Sequence, residues 1–327
     1  MAKKTVKLII TTLIAVMVLS GCSMMGEQVK YGFIDKTGNF IIQPQYSSAI
    51  SFNEGLAGVK AGNEQFGKWG FIDTSGNMVI EAKYDLVRGF YEGLCPVRTG
   101  DEEKGVWSFI DTRGNRVIAD DYKDASVFVK GLAPVRFIKE GKYGFIDKSG
   151  KTLIAPRFDI ASVFSEELAL YGVGSGENIK TGFIDRDGNI IIEAGYAYCY
   201  AFSEGLSAVK IGPDREKSDW GFIDKSGKVI IEPRYALARS FKEGLAAVKI
   251  GDAKTGKWGY INMSGEVVIE ARFGLALEFS DGLAAVLEGD EKTGKFGYID
   301  KTGKYVIEPR FKNASTFSQG LAPAAIE

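Results

Sequence analysis

Histidine is absent from the 327-residue sequence, cysteine occurs three times and proline eight times. Without histidine, the chain lacks the commonest general base and one of the commonest metal ligands in proteins. Catalytic triads that use histidine, and zinc sites with histidine ligands, are therefore excluded. The remaining residues show no catalytic group, metal-ligand set or cofactor motif. The sequence thus predicts a protein that is not an enzyme and that needs no cofactor.

An excess of charge of either sign is also missing, since the formal net charge is −1. Removal of the segment before Cys22 as a signal peptide would take away Lys3, Lys4 and Lys7. The 41 basic residues then fall to 38 against 42 acidic ones, a net charge of −4. Nucleic-acid binding usually needs a strongly basic face. We therefore expect no nucleic-acid partner.

The chain has one long apolar run, from Leu8 to Leu19, preceded by lysines. It is shorter than the roughly 20 residues that span a bilayer, and it is typical of the apolar region of a signal peptide. It ends in Leu19-Ser20-Gly21-Cys22, which resembles the lipobox of bacterial lipoproteins. The resemblance implies cleavage before Cys22 and lipid attachment to that residue. An apolar anchor helix with an incidental cysteine is the alternative.

These features predict the domain organisation and the location. Residues 1–21 would be a lipoprotein signal peptide that is removed, residues 22–29 a tether, and residues 30–327 one domain of repeats. The acyl chains of one lipid-modified cysteine suffice for stable anchoring. We therefore expect a protein of the cell envelope, anchored through Cys22 on the extracytoplasmic side of a bacterial membrane.

Two sequence marks recur eight times with a period of about 38 residues. The first is aromatic–Gly–aromatic–Ile–Asp, and the second is Phe-x-x-Gly-Leu. The glycine of the first mark is Gly32, Gly70, Gly144, Gly182, Gly221, Gly259 or Gly297, with Ser108 in the third copy. The phenylalanine of the second mark is Phe52, Phe90, Phe128, Phe164, Phe202, Phe241, Phe279 or Phe317. A period kept by two independent marks identifies a repeat protein.

Three copies carry a family resemblance: Lys-Trp-Gly-Phe-Ile-Asp at 68–73, Asp-Trp-Gly-Phe-Ile-Asp at 219–224 and Lys-Trp-Gly-Tyr-Ile-Asn at 257–262. They resemble the WG (KWG) repeats of bacterial proteins, and the resemblance extends over about residues 30–326. It implies a protein defined by its repeat, in a family that is often secreted and mostly without assigned function. It brings no catalytic residues.

Each copy predicts a β-hairpin whose turn is closed by an aspartate side chain, as in Asp224-Lys-Ser-Gly227. The following spacing, Tyr235-x-x-Ala238-x-x-Phe241, fits either a helical turn or a short irregular edge strand. The run Gly-Leu-Ala-Ala-Val then predicts a strand that is buried on both faces. We expect an all-β repeat protein of eight units, most readily a closed β-propeller-like ring. An open β-solenoid is the alternative.

Candidate ligand-binding positions fall into two rows and one set of loops. The aromatic row is Trp69, Trp107, Trp220 and Trp258, which either pack between units or stack on a ligand. The basic row is Arg157, Arg234, Arg272 and Arg310, which either pair with nearby glutamates or form a ring for an anionic polymer. The variable loops before each aromatic–Gly mark should share one face, where specificity is usually found. Cys95 and Cys199 replace small apolar residues and are expected to fill the core.

The leading hypothesis is a membrane-tethered extracytoplasmic binding or scaffold protein for a protein or an envelope polymer. The first alternative is a hydrolase or lyase acting on glycans through two carboxylates in a propeller pocket. It requires Asp or Glu residues outside the repeat consensus that face a shared cavity. The second alternative is a structural role in envelope assembly.

Overall fold

The computed structural model of the chain describes residues 29–212 and 219–326. In this part of the chain the strands form eight antiparallel sheets, which surround one axis as the blades of a propeller. Among residues 29–212 and 219–326, the one helical element is a 3₁₀ turn, Gly176–Asn178. Among these residues no helix is long and apolar enough to cross a membrane. The predicted signal peptide and residues 22–28 of the predicted tether lie outside the described residues.

Each blade has, from the axis outward, an inner, a second, a third and an outer strand, except that blade 3 has only the first three. Blades 1 to 4 are Asn313–Ala314, Ala322–Ile326, Lys30–Ile34 and Phe40–Tyr46; Ser48–Ala49, Leu56–Ala61, Lys68–Asp73 and Met78–Tyr84; Leu86–Val87, Leu94–Thr99 and Val106–Asp111; Asp124–Ala125, Ala133–Arg136, Tyr143–Ile146 and Thr152–Phe158. Blades 5 to 8 are Ile160–Ser165, Leu168–Val173, Lys180–Ile184 and Ile190–Tyr196; Tyr198–Cys199, Ser207–Ile211, Asp219–Ile223 and Val229–Tyr235; Leu237–Ala238, Ala246–Ile250, Lys257–Ile261 and Val267–Phe273; Leu275–Ala276, Ala284–Glu288, Lys295–Ile299 and Tyr305–Phe311.

The first and last parts of the chain share blade 1. Lys30–Ile34 pairs antiparallel with Ala322–Ile326, with Lys30 opposite Ile326. The same blade is joined to blade 2 by Ser318 Oγ, which donates to Phe52 O at 2.6 Å. The pairing of Lys30–Ile34 with Ala322–Ile326 confirms the closed ring, and the alternative of an open β-solenoid is wrong.

The segment after each outer strand is the short inner strand, as in Leu237–Ala238. It forms one edge of its sheet. Residues at this edge in blades 7, 8, 1 and 2 line one common cavity, so this edge faces the axis. The edge-strand interpretation is therefore confirmed, and the helical alternative is wrong.

The core lies between adjacent blades. The phenylalanine of every Phe-x-x-Gly-Leu element is at most 1% exposed. It packs against an aromatic ring on the third strand of the preceding blade, with ring centroids 4.6–5.1 Å apart. The eight pairs are Phe33–Phe52, Phe71–Phe90, Phe109–Phe128, Phe145–Phe164, Phe183–Phe202, Phe222–Phe241, Tyr260–Phe279 and Tyr298–Phe317. The second repeat mark therefore joins each blade to the next.

The glycine of the first repeat mark allows the outer strand to approach the third strand. The pairing between these strands is bulged, and a Cβ atom at Gly70 would lie 2.5 Å from Ile80 O. A non-glycine residue would have to push the outer strand away. In blade 3, where Ser108 takes this position, the outer segment pairs only through isolated bridges such as Trp107–Tyr122. The irregular outer segment of blade 3 thus coincides with the replacement of this glycine.

Aspartate-closed turns join the third and outer strands, as expected. Asp224 Oδ1 accepts hydrogen bonds from the N–H groups of Ser226 at 2.9 Å and Lys228 at 3.1 Å. Asn262 Oδ1 accepts the equivalent bonds from Ser264 and Glu266. These donors favour the ionised carboxylate. In the equivalent turn, the Asn115 N–H is the main group that lowers the pKa of Asp111, to about 2.

Acid should weaken the fold through these turns. An aspartate in the unfolded chain titrates near about pH 3.9. The unfolded state therefore binds protons while the folded carboxylates, with their lowered pKa values, remain ionised. Each such carboxylate contributes stability above about pH 4 that is lost as the pH falls through its folded pKa.

The variant Asp73→Asn/Asp147→Asn/Asp224→Asn is expected to show a shallower decrease of the unfolding free energy between about pH 5 and pH 2 than the natural protein. Asparagine keeps the acceptor atom, as Asn262 demonstrates, but does not titrate. Urea denaturation across this range provides the measurement. Equal slopes for the two proteins would contradict the assignment.

The strand order gives the propeller two different faces. Because neighbouring strands alternate in direction, the inner–second and third–outer turns lie together on one face, the turn face. The second–third loops lie on the opposite face, the loop face, with Lys30 and Ile326. These loops are 62–67, 100–105, 137–142, 174–179, 251–256 and 289–294. The variable loops therefore share a face, as expected; residues 213–218 of another loop lie outside the described residues.

Candidate functional site

The tryptophans singled out from the sequence are buried. Trp69, Trp107, Trp220 and Trp258 are between 4% and 8% exposed. Residues that follow the inner strand of the same blade cover at least two of these rings. The Arg88 guanidinium lies 4.9 Å from the Trp107 ring centroid, and Tyr200 stacks on Trp220 at 5.2 Å. Packing therefore occupies most of each indole ring, and a ligand-binding role for the row stays a prediction.

The arginines singled out from the sequence join adjacent blades. The row is Arg157, Arg234, Arg272 and Arg310, and each Nη2 atom donates to the carbonyl of the turn glycine in the next blade. Arg234 bonds Gly265 O at 2.7 Å, and Arg310 bonds Gly38 O at 2.6 Å across the ring closure. The guanidinium groups also lie over the following aromatic ring, as Arg272 does over Phe273 at 4.8 Å. They thus have partners within the fold, and binding of an anionic polymer by this row stays a prediction.

Neither described cysteine is placed for reaction. Cys95 and Cys199 are free and buried. Burial raises the pKa of the Cys199 thiol to about 12 and also raises that of Cys95. A neutral thiol is a weak nucleophile, so both residues act as core filler, as the sequence predicts.

Departures from the repeat are most numerous in blades 3 and 5. Blade 3 has Ser108 and Asp121, and blade 5 has Glu167, Thr181 and Gly195, whereas Gln45 in blade 1 and Asn262 in blade 7 are single exceptions. Blade 3 also lacks a regular outer strand within the described residues. Residues that serve only to build the ring make the same contacts in every blade, so we expect the same residue types at equivalent positions. A cluster of exceptions therefore marks the part of the ring where another requirement applies.

A polar cavity of about 280 Å³ lies at the axis beside these exceptional blades. Its polar wall includes Arg88, Asp124, Ser126, Arg136, Tyr143 and Asp159. Residues 174–176 of the blade 5 loop complete the wall, so the cavity belongs to the loop face. We call it the polar cavity.

Asp124 is the centre of a hydrogen-bond network in the polar cavity. Its Oδ1 atom accepts from Arg88 Nη2 at 3.1 Å, and its Oδ2 atom accepts from the Tyr143 hydroxyl at 2.5 Å. Arg88 Nε donates to Ala125 O at 2.7 Å. Burial, and then the Asp124 carboxylate, raise the pKa of Tyr143 well above its usual range. The phenol is therefore a neutral donor at physiological pH, and the network is preorganised.

The charges of the polar cavity are balanced. Asp159 accepts from Gly174 N at 3.0 Å and forms an ion pair with Lys142. Arg136 Nε donates to Gly141 O at 2.7 Å. Among the residues that line the cavity, two guanidinium groups thus face two carboxylates. This balance favours a neutral ligand rich in hydroxyl or amide groups over a strong polyanion.

A second cavity, of about 260 Å³, lies at the axis between blades 7, 8, 1 and 2, and its wall is mainly apolar. The described residues contain no group of three Cys, Asp or Glu side chains that could hold a metal ion.

Sequence comparison decides the family. A family model described as a WG-containing repeat matches residues 31–64, 69–102, 107–143, 143–175, 182–212, 220–252, 258–291 and 296–327. The chain belongs to the WG-repeat family. No curated protein matches this WG-repeat protein in sequence.

Solved structures similar to the WG-repeat protein show the propeller fold. The β-propeller domain of the Trilobed protease from Pyrococcus furiosus, described as having an open velcro topology, has a TM-score of 0.50, 12% identity, and coverage of 81% of this chain and 98% of that chain. A eukaryotic initiation factor has a TM-score of 0.54, 9% identity, and coverage of 91% and 98%. A prolyl endopeptidase has a TM-score of 0.59 and 11% identity; 81% of this chain covers 49% of that chain. Identities this low indicate shared architecture only.

Arg88, Asp124 and Tyr143 are not recognisable as a site from the sequence. The positions of Arg88 and Asp124 hold different residue types from blade to blade, and Tyr143 is one of the repeated aromatics before glycine, so nothing in the repeat links the three. One signal could have found them: Arg88 and Asp124 stand at or beside the inner strands, where most copies of the WG-repeat protein have small, apolar or uncharged residues.

Proposed function

We propose that this WG-repeat protein is a lipid-tethered binding protein of the bacterial cell envelope. Its ligand would be a neutral polar segment of a protein or an envelope polymer, held in the polar cavity. The observation that carries the proposal is the preorganised network of Arg88, Asp124 and Tyr143 in the polar cavity. The cavity lies among blades 3 to 5, next to the two blades with the most exceptions to the repeat.

The geometry of the chain entry supports a site near the membrane. Lys30 enters the ring on the loop face, which also carries the polar cavity. If Cys22 carries the lipid, residues 22–29 can span at most about 28 Å when fully extended. The loop face would then stay close to the bilayer, within reach of a polymer or protein anchored in the same membrane.

A carboxylate-based hydrolase or lyase is less well supported. Asp124 and Asp159 lie outside the repeat consensus and share the polar cavity, which is the arrangement that this alternative requires. However, Asp124 pairs with Arg88 and Asp159 pairs with Lys142. Each carboxylate is thus engaged by a cationic side chain of the protein itself, whereas a glycosidase needs two carboxyl groups that are free to flank the scissile bond. Both groups are therefore better placed for binding than for proton transfer.

The binding proposal is tested by blocking the polar cavity. Ser175 is an exposed cavity residue, and the substitution Ser175→Trp would fill the space with little effect on the core. We expect it to lower retention of the partner from a solubilised envelope extract at least about tenfold, because a filled cavity excludes the ligand. Retention is measured by quantitative pull-down with the full-length protein.

The matched control is Ala253→Trp, which adds the same side chain to an exposed position in the blade 7 loop. It should retain as much partner as the natural protein. Equal retention by Ser175→Trp and the control would contradict the proposed site. Absence of any retained partner, with a native circular dichroism spectrum, would contradict the binding function itself.

A further inference from the structure

Arg239 is a buried arginine with an unsatisfied donor. It follows the inner strand of blade 7, and its side chain is 11% exposed. The guanidinium lies over the Trp258 ring at 5.4 Å, and its Nη1 atom is 3.8 Å from Glu278 Oε1, too far for a hydrogen bond. The Nε atom is buried and has no hydrogen-bond partner within the described residues. Buried donors of this kind are uncommon, and each calls for a specific explanation.

Arg88 shows how the fold satisfies an arginine at the same repeat position. It stands four blades from Arg239, on the opposite side of the axis, and it lies over Trp107 in the same way. Its Nε atom donates to Ala125 O, and its Nη2 atom donates to Asp124 Oδ1. Both acceptors belong to the inner strand of the next blade. One edge of the guanidinium is thus occupied by an amide carbonyl and a carboxylate.

Leu275 takes the place of that carboxylate beside Arg239. It holds the position in blade 8 that Asp124 holds in blade 4. The second axial cavity opens at this point, and both Arg239 and Leu275 line it. Glu278 is not part of the wall. At the interface between blades 3 and 4, the Asp124 carboxylate lies beside the arginine. At the equivalent place between blades 7 and 8, a cavity lies beside Arg239 instead.

The rest of the cavity wall is mainly apolar. Leu277, Leu287 and Phe296 line it beside Leu275. Polar or charged groups come from Asn313, Ser315, Glu291 and Lys312. A volume of about 260 Å³ is slightly below the usual range for small-molecule sites. An apolar body with one anionic group would bury its surface against these residues and leave one end for the arginine.

We propose that this cavity binds a small carboxylic acid with an apolar body. The ligand carboxylate accepts from the Nη2 atom of Arg239, as the Asp124 carboxylate does from Arg88, whereas the buried Nε atom stays out of its reach. Glu278 stays on the Nη1 side, away from the wall. The site lies across the axis from the polar cavity, so it does not depend on the proposed envelope ligand.

The test uses hexanoate and hexanamide as probes of the full-length protein. Binding is followed by isothermal titration and by tryptophan fluorescence, since Trp258 lies directly under the arginine. We expect hexanoate to bind at least about tenfold more tightly than hexanamide, because the charge-assisted hydrogen bond to the guanidinium is lost in the amide. Comparable binding of both probes, or no binding of hexanoate at millimolar concentration, would overturn the proposal.

Two variants and a matched control locate the site. Leu275→Asp restores the carboxylate found in blade 4 and should lower hexanoate affinity at least about tenfold, because the arginine then has a partner within the chain. Arg239→Gln should lower it to the same extent, which keeps the test decisive if Leu275→Asp does not fold. Leu237→Asp makes the same change at the equivalent position of blade 7, where the preceding blade has Tyr200 instead of arginine, and should leave affinity unchanged. Retained affinity in Arg239→Gln would refute the assignment.

Discussion

The substitution Phe317→Ala is expected to lower the free energy of unfolding by about 3–5 kcal/mol, the range for truncation of a buried aromatic residue. Phe317 is 1% exposed, and its ring centroid lies 4.8 Å from that of Tyr298. This contact belongs to the interface between blades 8 and 1, and it anchors the segment that pairs with Lys30–Ile34 to close the ring. The cavity left by the missing ring cannot collapse easily, because backbone pairing on both sides holds the two blades in place. Urea denaturation followed by circular dichroism measures the effect.

The matched control is Phe66→Ala, which removes the same side chain from the tip of a loop. Phe66 is 73% exposed, so its truncation should change the free energy of unfolding by no more than about 0.5 kcal/mol. If Phe317→Ala is as mild as this control, the aromatic contact does not stabilise the closure of the ring.

The second large effect is expected for Gly259→Ala, at about 3 kcal/mol, the upper part of the range for overpacking. A Cβ atom at this position would lie 2.5 Å from Ile269 O and 2.8 Å from Ala271 N. Both atoms belong to the backbone of the outer strand, which can make room only by leaving its pairing with the third strand. Blade 3 of the natural protein illustrates that outcome, with Ser108 and an irregular outer segment.

Gly195→Ala is the control for Gly259→Ala. The nearest heavy atom to a Cβ at Gly195 is Glu193 O at 3.9 Å, an ordinary contact. This substitution should be neutral or slightly stabilising, because alanine lowers the conformational entropy of the unfolded chain. Thermal unfolding of the two variants compares them directly. Similar losses in both would show that steric exclusion is not the reason for the repeated glycine.

The repeated residues were readable from the sequence because each acts over a short distance. Asp224 closes a turn with groups two and four residues away, which its spacing to Gly227 already indicates. The buried Gly-Leu strand follows from its run of apolar residues. Similar units that cannot bury their own apolar faces must stack on one another. Eight copies of the repeat therefore predict eight stacked units, which are the eight blades. The sequence favours the ring over the solenoid but does not decide between them. The deciding contact, between Lys30–Ile34 and Ala322–Ile326, joins segments almost 300 residues apart, and no local pattern reports it.

The candidate sites were not readable in the same way. Arg88, Asp124 and Tyr143 are widely spaced in sequence. Arg88 and Asp124 hold repeat positions with no common residue type, and Tyr143 is one of the repeated aromatics before glycine. The basic row illustrates the opposite case: Arg234 and Arg310 form a clear pattern, but their partners are carbonyl groups of the next blade. A side chain's place in the repeat does not tell which neighbour it meets, because that neighbour comes from another blade.

The sequence by itself determined the eightfold repeat, the all-β class, the aspartate-closed turns and the absence of histidine chemistry. These properties depend on residue type and local spacing. The tertiary structure alone decided that the ring closes. It also decided that the repeated phenylalanines and arginines contact the adjacent blade, whereas the tryptophans pack within their own blade. Finally, it decided that Arg88 has a carboxylate partner and that Arg239 lies beside a cavity instead. The physical reason is that contacts at the axis depend on the register of neighbouring blades, which exists only after the ring has formed.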